Sequence, residues 1–230
     1  MKNYWIMLLV MSLTTVACSQ KSGSITTKNK APQDGTLTIE EYLEGKDYSA
    51  YAIATFAGGC FWCTEASFER IQGVKYVISG YAGGEKKRPT YEEVCSGTTG
   101  HTEAIQIYYD PEVVSFEKLL DVFFVAHDPT QLNRQGPDRG TQYRSAIFYH
   151  DEEQKKAVDA FIKAQEASGK FGKPIVTEVS PYGTYWVAEE YHQDYYESHP
   201  NNPFIANVSR PKVEKVKKVF ADILKPEFRK

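Results

Sequence analysis

The sequence predicts an α+β fold: a two-layer α/β sandwich in which helices pack on a ferredoxin-like mixed sheet, ending in a long irregular C-terminal wrap. Three observations predict it. Runs of period two alternate along the chain with runs of helical period. Three of the helical runs carry an apolar face that calls for a sheet to cover it. From about Tyr185 to Asn207, aromatics, His and Pro follow one another with no period at all.

The elements follow in order. Tyr51 to Ala57 alternates, is rich in strand formers and ends at Gly58-Gly59. Apolar positions from Phe61 through Phe68 to Ile71 then recur with helical spacing, and Gly73 is a natural cap. Val74 to Ser79 reads as a second strand, closed by the Gly80 to Gly84 turn region. In a third, Ala104 to Tyr109, the residues Ile105, Ile107 and Tyr109 share one face, and Asp110-Pro111 stops it. Ser115 caps a helix with an apolar stripe of Phe116, Leu119, Leu120, Phe123 and Phe124. After a polar loop, Ser145 to Tyr149 gives a fourth strand, and Asp151 with Gln154 suggests a capping-box start to a helix ending at Gly169. Ile175 to Val179 reads as a fifth strand, and Pro211 opens a last amphipathic helix through Val213, Val216, Val219, Phe220 and Ile223.

The 230 residues suffice for one catalytic domain plus non-domain ends. Hydrophobic residues at 41% and charged ones at 25% exclude wholesale disorder and a multi-span membrane protein. A net charge of −3 implies no basic face, so nucleic acid is a poor partner. The 16 tyrosines suit a pocket with apolar walls and hydroxyl donors.

The beginning of the chain differs from the rest. Lys2 precedes the apolar run Trp5 to Met11, too short to span a bilayer but suited to a secretory signal. It closes with Thr15-Val-Ala-Cys18, which resembles a bacterial lipobox with Thr15 where Leu is usual; Cys18 would then be lipidated. An ordinary cleaved signal or a short uncleaved anchor is the alternative. The expected organisation is a signal or lipoprotein segment over 1–18, a flexible polar tether over 19–47 and a single domain over 48–230. That domain would be exported, held to a membrane through Cys18 and facing the periplasm or cell exterior.

Cys60 follows Gly58-Gly59 at a strand-to-helix junction. Unpaired backbone N–H groups and the helix dipole favour a thiolate there, and only the thiolate is a useful nucleophile. The glycines would let substrate approach the sulfur across bare backbone. Three other readings exist. Cys60 could be a small buried hydrophobe. Cys60, Cys63, Cys95 and His101 could form a three-sulfur, one-nitrogen zinc set, although the spacing beyond the first pair is atypical. Cys60-Phe-Trp-Cys63 could be a dithiol centre for general thiol–disulfide exchange.

The run Gly58-Gly-Cys-Phe-Trp-Cys-Thr-Glu65 resembles the signature of peptide methionine sulfoxide reductases of the A type. Further blocks resemble the same family: Gly80-Tyr-Ala-Gly-Gly84, Pro89 to Gly97, Gly100-His-Thr-Glu-Ala104, His127-Asp-Pro129, Gly140 to Ser145 and Tyr191-His-Gln-Asp-Tyr195. Together they cover roughly residues 51–200, which a lone C-x-x-C would not. The resemblance implies that Cys60 attacks the sulfoxide sulfur and that Glu103, kept protonated by desolvation, delivers a proton to the oxygen. It implies that the Tyr91 and Tyr143 hydroxyls bond that oxygen, that Phe61 and Trp62 form a socket for the S-methyl group, and that Asp138 is a polar position of the substrate site. Substrates would be oxidised proteins and free methionine S-sulfoxide, without metal or organic cofactor. The five histidines read as structural.

Many relatives carry resolving cysteines in a C-terminal tail; this chain has none after Cys95. With Cys18 assigned to lipidation, Cys63, on the same helix face as Cys60, is the expected resolver of the Cys60 sulfenic acid, and Cys95 is expected to be buried. Direct reduction by an external thiol is the rival. A thioredoxin-like protein is the implied reductant. A general thiol–disulfide oxidoreductase and a non-enzymatic zinc-binding lipoprotein module remain as alternatives.

Overall fold

The computed structural model describes residues 36–229. The signal segment, Cys18 and the first part of the expected tether lie outside the described residues. The elements in order are α1 (Ile39–Tyr42), β1 (Ala52–Gly58), α2 (Phe61–Glu69), β2 (Val74–Ala82), α3 (Tyr91–Cys95), β3 (Thr102–Tyr109) and α4 (Phe116–Ala126). A small hairpin of β4 (Arg134–Gln135) and β5 (Asp138–Arg139) precedes β6 (Ser145–Tyr149) and α5 (Glu152–Ser168). The chain closes with β7 (Glu178–Pro181), β8 (Trp186–Val187), α6 (Tyr195–Ser198) and α7 (Arg210–Val219).

The main sheet has the strand order β7-β6-β1-β3-β2-β8. Its four inner strands follow a β-α-β-β-α-β path, β1-α2-β2-β3-α4-β6, and all pair antiparallel. That is the expected ferredoxin-like arrangement. The parallel pairing of β7 on β6 makes the sheet mixed, and β8 extends the other edge antiparallel to β2.

Both faces of the sheet are covered, which is why every residue of β3 is buried. On one face Ile105, Ile107, Ala54 and Phe56 meet Phe61 and Phe68 of α2, Leu119, Leu120 and Phe123 of α4, and Val216 of α7. Phe56 stacks on Phe123 with ring centroids 4.9 Å apart. The stripe read from the sequence in α4 thus meets the alternating face of β1 and β3. On the other face Ala104, Tyr108, Ile78 and Phe148 form a second cluster with Ile39 and Tyr185.

That second cluster corrects the tether expected over 19–47, whose last part, from residue 36, is built into the domain. Thr38 and Glu41 cap α1 reciprocally, Ile39 is 4% exposed and the Ile39 N–H donates to the Tyr185 carbonyl at 3.1 Å. The segment is tied down further by Thr36 Oγ1 donating to the Pro89 carbonyl, by the Val187 N–H donating to the Leu37 carbonyl and by Arg88 pairing with Glu41.

Other boundaries moved for local reasons. The strand expected at Ile175 to Val179 forms at Glu178–Pro181, because Val176 donates instead to the Pro129 carbonyl and Thr177 bonds the Ser145 hydroxyl. Gln154 does not complete a capping box: Asp151 accepts from the Gln154 N–H, but the Gln154 side chain accepts from His150 N–H and donates to the Ile53 carbonyl. The last helix ends at Val219, and Ala221–Ile223 form a 3-10 turn. The wrap expected to be irregular over 185–207 is instead a chain of short elements: Trp186 and Val187 pair with Tyr81 and Gly80, Glu190–His192 form a 3-10 turn, α6 follows, and a π-helix over Ile205–Ser209 runs into α7.

Candidate active site

Cys60 occupies the N-cap of α2 at the end of β1, where the sequence places it. The close turn needs its glycines, though for packing rather than for substrate. Gly59 has φ +87°, and a β-carbon there would lie 2.5 Å from Gln135 Cβ, so the glycine admits the β4–β5 hairpin. That hairpin is held by paired hydrogen bonds between the Gln135 side chain and the backbone of Asp128. It carries Asp138, half-buried and with its Oδ2 buried and unpartnered.

Cys60, Phe61, Trp62, Tyr91, Glu103, Asp138 and Tyr143 converge on one cavity of about 270 Å³, together with Asn202 and Phe204. All seven residues expected from the resemblance to catalyse or bind substrate are therefore brought together. Cys60 is 5% exposed and Glu103 2%. Glu103 Oε2 accepts the Phe61 N–H at 3.0 Å, which locks the carboxyl group beside the start of α2. Burial is the dominant influence on that carboxyl group and raises it to about 8, against the smaller opposing effect of the Phe61 N–H.

The two tyrosines arrive from different elements. Thr90 and Glu93 form a capping box that starts α3, and Tyr91 is its first residue. This short helix was not foreseen, although the capping pair is visible in the sequence. Glu189 of the wrap accepts the Tyr91 N–H and the Tyr81 hydroxyl, each at 2.8 Å. Tyr143 lies on the 3-10 turn Thr141–Tyr143, tied to β3 by Thr102 Oγ1 donating to the Gln142 carbonyl and to α3 by Gln142 Nε2 donating to the Cys95 carbonyl. Burial pushes both phenols well up, so they remain hydroxyl donors.

Trp62 is held from behind by residues the sequence reading missed. Its Nε1 donates to His192 Nδ1 at 3.2 Å, its ring stacks on Tyr195 at 3.9 Å, and Phe204 meets it edge-on at 5.9 Å. His192 also packs on Phe61 and Tyr91, at 5.1 and 4.4 Å. It does not line the cavity but packs behind the Phe61, Trp62 and Tyr91 side chains that do. A wrap with no period offered no signal beyond its density of aromatics. At its far end α2 is fixed to the same wrap, where Arg70 donates to the Ala66 carbonyl and pairs with Glu197.

The ionisation of the thiols departs from expectation. Burial, a hydrogen bond with Cys63 and the nearby Cys63, Glu103 and Asp138 push the Cys60 thiol up. The amides expected to lower it are otherwise engaged: the Phe61 N–H serves Glu103, the Cys63 N–H bonds the Cys60 carbonyl, and the Cys60 side chain makes no capping bond. Cys63, 2% exposed, is the partner that ionises first, pushed down to about 7 chiefly by its hydrogen bond with Cys60 and further by Lys212 and Ser209, against the cost of burial. The first proton is lost from the pair as a whole, with charge favoured on Cys63, toward which the Cys60 thiol hydrogen-bonds.

Cys95 is half-buried at the end of α3, its thiol bonded with the Tyr91 and Tyr143 hydroxyls rather than sealed in the core as expected. The zinc set does not assemble, because His101 accepts the Gly84 N–H at Nδ1 and bonds the Lys86 carbonyl through Nε2.

Residues 52–224 match the family model described as peptide methionine sulfoxide reductase. The chain is 52% identical over 174 residues to the peptide methionine sulfoxide reductase MsrA of Thermus thermophilus, covering 76% of this chain and 98% of that one. It is 51% identical over 171 residues to that of Natronomonas pharaonis, covering 74% and 96%. Among solved structures, methionine sulfoxide reductase A of Corynebacterium diphtheriae superposes with a TM-score of 0.61 at 35% identity, covering 74% of this chain and 84% of that one. Reduced Mxr1 from Saccharomyces cerevisiae gives 0.61 at 38%, covering 68% and 90%.

Proposed function

The chain belongs to the peptide methionine sulfoxide reductase family, and from that premise we propose that its cavity reduces methionine S-sulfoxide, free or in proteins, through a sulfenic acid on Cys60. One observation carries this reading: a buried thiol, a buried carboxyl group that keeps its proton at neutral pH, two phenolic hydroxyls and an aromatic wall face the same cavity. A sulfoxide offers the complementary parts, an electrophilic sulfur, a basic oxygen and a methyl group.

With the methyl group against Phe61 and Trp62, the oxygen points to Glu103, Tyr91 and Tyr143. The Cys60 sulfur bonds to the sulfoxide sulfur as Glu103 protonates the oxygen. The hydroxyl then passes from the methionine sulfur to the Cys60 sulfur: the S–O bond to methionine breaks, the new S–S bond cleaves with its electron pair going to methionine, and Cys60 is left as a sulfenic acid. The sulfoxide is reduced by two electrons and the thiol is oxidised by two. Cys63, hydrogen-bonded to Cys60, then displaces the oxygen as water and forms the Cys60–Cys63 disulfide. Cys60 borders the cavity, so a thioredoxin-like dithiol would open that disulfide by attacking Cys60.

The test mixes reduced protein with one equivalent of each sulfoxide epimer and counts methionine formed and thiols lost. One methionine and two thiols lost from the S epimer are expected. Cys60→Ser abolishes both, and Cys63→Ser keeps the methionine but loses one thiol. Turnover of the R epimer alone, or full activity in Cys60→Ser, would refute the assignment.

The apolar run Trp5 to Met11 and the Ala17-Cys18 junction support export and lipid anchoring on Cys18, with repair of oxidised proteins outside the cytoplasm. Incorporation of labelled fatty acid that disappears in Cys18→Ser would be the expected result; unlabelled, cytoplasmic protein would refute it.

A further inference from the structure

Near the catalytic pair lies a cation that the steps above do not use. Lys212 is in the first turn of α7, and its Nζ is buried with no hydrogen-bond partner. A buried ammonium without a partner is costly unless negative charge is close by. Its neighbourhood supplies two candidates: the Asp138 carboxyl group, whose buried Oδ2 is also unpartnered and which Lys212 lowers, and Cys63, which Lys212 lowers and whose Sγ lies 3.2 Å from the Ser209 hydroxyl, itself fully buried just before α7. Ser209 accepts from the thiol and can turn its hydrogen toward the thiolate.

We infer that Lys212 is a positioning residue for Cys63: its buried ammonium, with the Ser209 hydroxyl, holds Cys63 as the sulfur that attacks the Cys60 sulfenic acid and that later departs when a dithiol opens the disulfide. In the forward step the Cys63 thiolate bonds to the Cys60 sulfur and hydroxide leaves, taking a proton to become water. In the return step a thiolate of the dithiol bonds to Cys60, the electron pair leaves on Cys63, and the second thiol of the reductant releases Cys60. A sulfur ready to carry charge serves both directions, since an attacking thiol reacts best near ambient pH and a leaving thiol departs faster the more acidic it is. The other charged or titratable groups facing this corner are Cys60, Glu103 and Asp138, which oppose charge on sulfur, and His127 with Lys215; His127 is buried and neutral, pushed down to about 4.

The inference rests on Cys63 as the resolving thiol, and the experiment separates the two. Reduced full-length protein is mixed with one equivalent of S-sulfoxide and quenched with an alkylating agent. The methionine step and the Cys60–Cys63 disulfide step are timed separately from about pH 6 to pH 10. In Lys212→Met the disulfide step should slow about threefold at pH 7, as the thiolate fraction falls more than the nucleophilicity rises, and should overtake the unaltered protein above about pH 8. A merely structural disturbance has no reason to produce that crossover, and Lys212→Arg should restore the original profile. Ser209→Ala should move it in the same direction as Lys212→Met and stands in if that variant does not fold. A disulfide step that is unchanged, or slowed equally at every pH, would overturn the role of Lys212. Undiminished loss of two thiols in Cys63→Ser would instead overturn the resolver reading and leave the Cys60 chemistry standing.

Discussion

Replacing Glu103 by Gln should remove one limb of the pH profile of the chemical step. A carboxyl group at its ordinary 4.5 is protonated in about one molecule in 300 at pH 7; raised to about 8, it is protonated in about nine of ten. Burial of Glu103 therefore supplies roughly 3 kcal/mol toward having the acid ready, net of the opposing Phe61 N–H. The acid works only when protonated, so the rate falls as pH rises through about 8. The thiol pair works only after losing one proton, so the rate climbs as pH rises through about 7. The single-turnover rate of methionine formation, followed by rapid quench, should therefore peak between about pH 7 and 8 and drop to about a tenth by roughly pH 6 and pH 9. Glu103→Gln should lower the maximum by about 10²- to 10⁴-fold and abolish the alkaline fall while leaving the acid limb in place. A variant within a few-fold of the original rate, or one that keeps the alkaline fall, would refute the assignment of Glu103 as the acid.

Tyr91→Phe and Tyr143→Phe should each slow the same step by about tenfold, with little change in the peak position, because each removes one of two donors to the sulfoxide oxygen; no loss in either would remove the hydroxyls from the chemistry. Ile39→Ala should cost about 2–4 kcal/mol in urea unfolding while sparing the chemical step, since Ile39 packs on the sheet face opposite α2; a change under about 0.5 kcal/mol would mean that the segment does not dock. Gly59→Ala combines a positive φ with a 2.5 Å approach to Gln135 and should cost about 2 kcal/mol or more. It should also weaken the chemical step by displacing the hairpin that carries Asp138, and a fully stable, fully active variant would contradict the packing described.

Much of the fold is written in local periodicity. The stripe of α4 and the alternation of β1 and β3 show which residues meet across the helix–sheet interface, and those elements appear within a few residues of expectation. What escaped the sequence depends on contacts distant along the chain. Trp186 and Val187 form a strand because the β2 edge is there to accept them, and two residues cannot show a period. Ile39 is buried because the far sheet face is apolar, which polar composition over 19–47 does not reveal. The pocket was legible where ordered motifs named its residues; the motif Tyr191 to Tyr195 did not show that His192 and Tyr195 back Trp62, and Phe204, outside every motif, gave no sign that it lines the cavity. Position at a helix start suggested an acidic Cys60; only the three-dimensional hydrogen bonds show that Glu103 takes the amide in question.

Reduction by this cavity requires that oxygen pass to the Cys60 sulfur. The direct measurement treats reduced Cys63→Ser protein with one equivalent of methionine S-sulfoxide in the presence of a sulfenic-acid-specific dione and locates the adduct by peptide mass spectrometry. One adduct on Cys60 for each methionine formed is predicted. Methionine formed with no adduct on Cys60, or with the adduct on Cys95, would contradict it.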